Sequence, residues 1–377
     1  MEKPQLIATE RELAELLGEL GREPVLAIDT EAASFHRHHD RIYLIQVSSR
    51  ERTAIIDPVA LPDLSGLGAL LADPGIEAVF HDADYDLRLF DHQYGFRAAR
   101  LFDTRIAAEF LGEPGLSLAA LLERHFGVRM DKRFQRADWS ERPLSPEMLA
   151  YAAADTVHLV ALRNLLGERL DAAGRSAWAE EEFAALTSVR WTLDEDREPG
   201  WLRLKGAKRL PPRQLAILRE VHGWRVEVAS KTDRAEFRIL GNEALFAIAD
   251  RAPRTIEELE KIKGIGRDTL QRRGRNILAA VNRALALPDS KLPRVERPPR
   301  RAREPEIEAR LGRLKAARTG ITARLGLEAG FAAPNSLLET VARAAPSSLQ
   351  ELAQLSGVRR WQVEAFGEEL LRALRSP

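Results

Sequence analysis

The chain has 377 residues, 45% of them hydrophobic and 30% charged, which is the make-up of a soluble globular protein of two or three domains and excludes disorder as the main state. No apolar run approaches the roughly 18 residues of a membrane span, and Glu2, Glu10 and Glu12 stand where a signal peptide would need a basic, then apolar, stretch. The absence of cysteine excludes disulfides, thiolate metal sites and cysteine nucleophiles, and a cytoplasmic protein is the expectation.

Strand and helix signals alternate at the start of the chain. Pro24–Glu31 (PVLAIDTE) is an apolar run ending in acids; Ile42–Ser49 and Thr53–Pro58 follow at hairpin distance. Glu77–Ala83 is a fourth strand, followed by a helix through Asp91, and Leu101–Thr104 is a short fifth. Ser145-Pro146-Glu147 starts a long helix running to about Ala173. Three adjacent strands and then strand–helix alternation predict a mixed sheet with helices packed on it, an α/β domain over 1–192. The acidic stretch Leu193–Gly200 reads as its boundary.

The second half repeats itself at a shift of 93 residues: Asn242 falls on Asn335, Leu245 on Leu338, Pro253 on Pro346, Gly264 on Gly357 and Gly274 on Gly367. Two copies of one all-helical module follow, over 201–285 and 306–377. In each, a short helix begins at Thr255 or Ser347. Between them, 286–305 is rich in Pro and Arg and reads as a solvated linker.

The formal net charge is zero, yet residues 1–190 carry −11 and 191–377 carry +11. A basic half beside an acidic one points to a grip on nucleic acid. The two modules differ, at +9 and +2. The second therefore has the weaker claim to nucleic acid, and packing against the rest of the chain is its alternative.

Several acids could carry chemistry. Asp29 and Glu31 are two apart on a strand and so share a face. Like charges side by side repel, and a divalent cation relieves this; a solvated strand end is the plainer reading. Asp82 and Asp84 suit a helix cap and first turn, with Asp86 one turn on. Tyr151 and Asp155 are four apart on a helix and share a face, which alone would suit the rim of a core helix. Together, four carboxylates and a phenol suffice to hold two metal ions and aim a water. The His36–Asp40 run (HRHHD) reads as a solvated turn rather than a metal cluster.

The segments VLAIDTE, VFHDADYDLRLF, LFDTRIAAEFL and RADWSERPLSPEMLAYAAADTVHL resemble the ribonuclease D family, within the 3′–5′ exonucleases that carry an Asp-Glu-Asp-Asp motif and a Tyr in the last motif. The resemblance implies an RNase H-like fold of the DnaQ exonuclease type. It implies that Asp29, Glu31, Asp86 and Asp155 hold two divalent ions, Mg²⁺ or Mn²⁺, with Tyr151 orienting the water. The repeated module is similar to the helical HRDC domain shared by this family and RecQ-type helicases, through WLRLKGAKRLPPRQLAILREVHGWRVEVASKTDR in the first copy and RRWQVEAFGEELL in the second. The chain lacks the G-x4-G-K-[ST] phosphate loop, which argues against a helicase.

The implied activity is 3′–5′ exoribonucleolysis releasing nucleoside 5′-monophosphates, on transfer RNA precursors and other structured RNA 3′ ends, by a monomer. A DNA exonuclease of the same fold and a non-catalytic scaffold are the alternatives. Lys205, Lys208, Lys263, Arg267, Arg272 and Arg273 are expected to contact phosphates. By the resemblance, Lys132, Gln135 and Arg136 approach the RNA near the active site.

Overall fold

The computed structural model describes residues 4–192, 198–295 and 304–375. The expected boundary at 193–200 and linker at 286–305 lie partly outside the described residues. The chain forms two compact units. Among the described residues no helix is long and apolar enough to cross a membrane.

The first unit holds a six-stranded sheet: β1 (Gln5–Ile7), β2 (Val25–Ala32), β3 (Ile42–Ser48), β4 (Thr53–Ile56), β5 (Glu77–Phe80) and β6 (Leu101–Asp103), in the order β1-β4-β3-β2-β5-β6. β2, β3 and β4 are antiparallel neighbours, while β1, β5 and β6 add in parallel. The mixed sheet agrees with the expectation from sequence. β1 was not foreseen, because three residues are too few to show a period. β3 is buried along its whole length, so it is covered on both faces.

The covering helices are α1 (Glu10–Leu20), α2 (Ser65–Ala72), α3 (Asp84–Tyr94), α4 (Thr104–Phe110), α5 (Leu118–Phe126), α6 (Pro146–Ala154), α7 (Leu159–Ala172) and α8 (Ser176–Leu186). The long helix expected over 145–173 is therefore two. The break falls at Asp155-Thr156-Val157-His158, residues of modest helix propensity. There Asp155 and Thr156 close i→i−3 bonds to Ala152 and Ala153, and the Thr156 hydroxyl accepts from Ser48 at 2.7 Å.

The first helical module comprises α9 (Gly200–Arg203), α10 (Pro212–Thr232), α11 (Glu236–Ile239), α12 (Asn242–Arg251), α13 (Ile256–Glu260) and α14 (Arg267–Leu285). The second comprises α15 (Pro305–Leu325), α16 (Ala329–Ala332), α17 (Asn335–Ala344), α18 (Leu349–Ala353) and α19 (Arg360–Arg375). The 93-residue shift superposes their bounds: α10 on α15, and the starts of α12 and α17. Ala252 and Ala345 both close their helices at positive φ, 45° and 46°. Gly274 and Gly367 recur because a Cβ there would press on Ile256 and Leu349 respectively. The short helix of the second copy is capped by Ser348, not Ser347: its hydroxyl accepts from Glu351 N, while Ser347 bonds the Glu351 carboxylate from outside. The first residues of the expected linker continue the module, since Leu287, Leu292 and Val295 pack on its core. Arg213 also binds the Leu287 carbonyl at 2.6 Å.

The second module belongs to the first unit. Trp361, 1% exposed, lies against Phe110, Trp178, Phe331 and Phe366 with centroids 5.1–6.1 Å away. Its indole Nε1 donates to Glu182 at 2.8 Å. Glu181 accepts from the Arg360 and Trp361 backbone N–H groups, capping α19 from outside. Arg175 donates to the Leu325 carbonyl at 2.6 Å.

Candidate active site

Asp29 and Glu31 project from β2 on one face, opposite Gln46 and Leu44 of β3. Asp155 reaches them from the C-terminal end of α6. Oxygens of these three carboxylates lie within 4.8 Å of one another. Ser48, two residues from Gln46 on the same face, bonds Thr156 and so ties the α6–α7 turn to the sheet. Ser145 caps α6, its hydroxyl accepting from Met148 N at 3.2 Å, and the four-residue spacing puts Tyr151 and Asp155 on the same side.

Asp86 lies in the first turn of α3 and is 8% exposed. It accepts a hydrogen bond from the Thr30 hydroxyl, between the two strand acids. It stands outside the tight trio but close enough to act on Asp29 and Glu31 electrostatically. The expected cap role of Asp82 is not seen. Asp82 takes a positive φ of 69° and pairs with Arg105. Asp103 of β6 instead accepts from Asp82 N and Ala83 N just ahead of α3, and caps α4 through Arg105 N and Ile106 N. Asp84 pairs with Arg88 at 2.7 Å and stays outside the site.

Burial first, then Asp155, pushes the Asp29 carboxyl up to about 8. Burial lifts Asp155 to about 7. Glu31 is raised well above its usual range by burial, then by Asp29, Asp155 and Asp86. Asp86 is raised by burial and by Asp29. The Tyr151 hydroxyl is raised by burial, then by Asp155, Glu31 and Asp29, which keeps it a donor. The crowding of carboxylates adds to burial in raising Asp29 and Glu31. Hard oxygen donors at this spacing suit divalent ions, so the residues present fit a metal site.

Sequence reasoning missed the residues that shape this site. Tyr151 is bracketed by Phe134 at 5.8 Å and by the fully buried Trp139 at 6.0 Å. Arg142 anchors the loop by a paired contact to Asp57, both bonds 2.8 Å. Lys132, Gln135 and Arg136, on the same loop as Phe134, are exposed. Arg133 pairs with Asp131 at 2.6 Å. A cleft of about 1140 Å³ opens beside Tyr151, lined also by Arg129, Met130, Arg133 and His158.

The second unit is described by itself. Its Lys205, Lys263 and Arg267 are exposed and Arg273 half-buried, whereas Lys208 pairs with Glu198 and Arg272 with Asp268, both at 2.7 Å. The HRHHD segment belongs to this unit and is not simply solvated. His38 and His39 N–H donate to Asp233, Ala235 N–H donates to His36 O, and Phe35 meets Phe237 at 4.9 Å. No spacing in the sequence signals these contacts.

The sheet order, the acid cluster and the repeated helices define a DnaQ-type 3′–5′ exonuclease followed by HRDC domains. A 3′–5′ exonuclease family model matches residues 4–171, and an HRDC domain model matches 214–281 and 307–374. Ribonuclease D of Acidiphilium cryptum is 34% identical over 98% of this chain and 93% of its own. The crystal structure of Escherichia coli RNase D covers 99% of this chain and 98% of its own at TM-score 0.71 and 28% identity. A Bifidobacterium adolescentis protein covers 99% and 97% at TM-score 0.86 and 26% identity. The chain belongs to the ribonuclease D family: it is a 3′–5′ exoribonuclease that acts on RNA with a divalent metal.

Proposed function

We propose that this enzyme removes nucleotides one at a time from RNA 3′ ends, releasing nucleoside 5′-monophosphates, with Asp29, Glu31, Asp86 and Asp155 holding two divalent ions, Mg²⁺ or Mn²⁺. The observation that carries this is the convergence of three carboxylates within 4.8 Å, with Asp86 against them and a protonated Tyr151 beside them. Bound there, two divalent ions supply positive charge to both the attacking and the leaving oxygen of an in-line displacement at phosphorus. Tyr151 donates its hydroxyl proton in a hydrogen bond to the incoming water and orients it, and its ring is kept from turning by Phe134 and Trp139. The Thr30 hydroxyl holds Asp86 in one rotamer. Lys132, Gln135 and Arg136 steer the strand across the cleft.

The substrates are transfer RNA precursors and other structured RNAs; the Escherichia coli relative is described as an exoribonuclease involved in structured RNA processing. Lys205, Lys208, Lys263, Arg267, Arg272 and Arg273 supply phosphate contacts without base readout.

A 5′-labelled single-stranded RNA incubated with Mg²⁺ or Mn²⁺, and then with EDTA, tests the reading. A metal-dependent ladder shrinking from the 3′ end is expected, with 5′-monophosphates released. Internal cleavage, or shortening that persists in EDTA, would overturn it. A transfer RNA precursor beside a deoxyribo-oligomer separates substrate classes.

A further inference from the structure

Gln46 lies in the middle of β3 and is 0% exposed, yet neither its Oε1 nor its Nε2 meets a protein hydrogen-bond partner. Burying both ends of an amide without partners costs about 1–3 kcal/mol each, so a residue there without a use is disfavoured. Its place supplies the use. Gln46 is the antiparallel partner of Asp29, and directly opposed residues share a sheet face with Cβ atoms about 4.5–5.5 Å apart. Ser48, on that same face, bonds the turn that carries Asp155. The orphaned amide therefore faces the carboxylate trio from the sheet side.

We propose that Gln46 is a positioning residue for the divalent-ion site: its Nε2 donates to the Asp29 carboxylate when that carboxylate holds an ion. A ligating carboxylate is fixed by the hydrogen bond to its other lone pairs, and loss of such a partner weakens metal affinity by about 10–100-fold. An amide suits the task because it donates without adding charge to a face already crowded with acids. The inference rests on the metal-site reading above.

The test is Gln46→Met in the full chain, with Gln46→Leu as a second variant should the first not fold. Mn²⁺ alone is titrated by calorimetry, and thermal unfolding is followed in EDTA. The expected result is Mn²⁺ affinity at least tenfold weaker in a variant whose metal-free stability is unchanged or higher, since the unmet polar atoms are gone. A merely structural glutamine would show the reverse: altered metal-free stability with unaltered Mn²⁺ affinity, and that result overturns the proposal. Asp155→Asn, titrated alongside, keeps the two readings apart. If Asp155→Asn loses Mn²⁺ while Gln46→Met keeps it, only the Gln46 role fails; if Asp155→Asn keeps it, the metal-site reading fails, and the Gln46 role with it.

Discussion

The two helical modules share one template and place the same helix end in different surroundings. At the start of α14 stand Gly266, Arg267 and Asp268; 93 residues on, at the start of α19, stand Arg359, Arg360 and Trp361. In the second copy the N–H groups of Arg360 and Trp361 are taken by Glu181, and Trp361 is sunk among rings of the same unit. In the first copy Arg267 and Asp268 are exposed, and Arg272 and Arg273 stand where the second has Ala365 and Phe366. One copy has become a brace and the other keeps a basic face. The lesson is that a helix N-terminus is a general anion seat, and the neighbouring residues decide whether a carboxylate of the same chain or a phosphate of a partner fills it.

The sharpest way to break this comparison is Trp361→Ala. Emptying a fully buried indole site should cost about 3–5 kcal/mol in denaturant unfolding; a change under about 1 kcal/mol would mean the brace carries no load. Removing 201–377 is a poor test of RNA grip, because it would strip the cover from Phe110 and Trp178.

Asp155→Asn separates chemistry from grip. Turnover should fall by at least about 100-fold, on the scale of a lost preorganised electrostatic group, while RNA affinity in EDTA holds. Near-normal turnover would remove Asp155 from the site.

Replacing Arg267, Arg272 and Arg273 by Ala should weaken RNA binding. It should also lower the slope of log affinity against log salt by about 1 for each phosphate that is no longer neutralised. Arg360→Ala, the counterpart of Arg267 in the brace, should leave that slope unchanged. Equal effects from both would end the division of labour.

The acid cluster adds a pH signature to the braced unit. Asp29 at about 8 and Asp155 at about 7 hold protons in the fold that an unfolded chain releases near 4. Their contribution is full below about pH 4 and is lost as pH rises through 7–8, so metal-free stability should fall across that window. Thermal unfolding in EDTA should show a midpoint lower at pH 8.5 than at pH 5.5, by roughly 10 °C. Mg²⁺ should reverse the trend, because it replaces the protons. A midpoint that rises with pH in EDTA would contradict the coupling.

Asp268→Ala is the smallest effect and the mirror of Trp361→Ala. An exposed Asp–Arg pair is worth little, so stability should move by no more than about 0.5 kcal/mol. A larger drop would reveal packing at this position in the first copy too.

The mixed sheet was legible because its longer strands are apolar runs bounded by turn residues, and the repeat because Gly274 and Gly367 serve one close approach. The candidate site residues were legible as types and spacings: Asp29 with Glu31 by the two-residue period, Tyr151 with Asp155 by the four-residue one. Those are local rules, set by bond geometry, and the linear chain contains them whole. What the chain does not show is who meets whom. The split at Asp155, the bonds Asp103 makes to Asp82 and Ala83 ahead of α3, the unpartnered Gln46 facing Asp29 and the burial of Trp361 all depend on residues far apart in sequence. Burial and cross-strand register act between elements, so only the tertiary structure decides which acids come together, which amide faces them, and which of two like helix ends is filled by a carboxylate of the same chain.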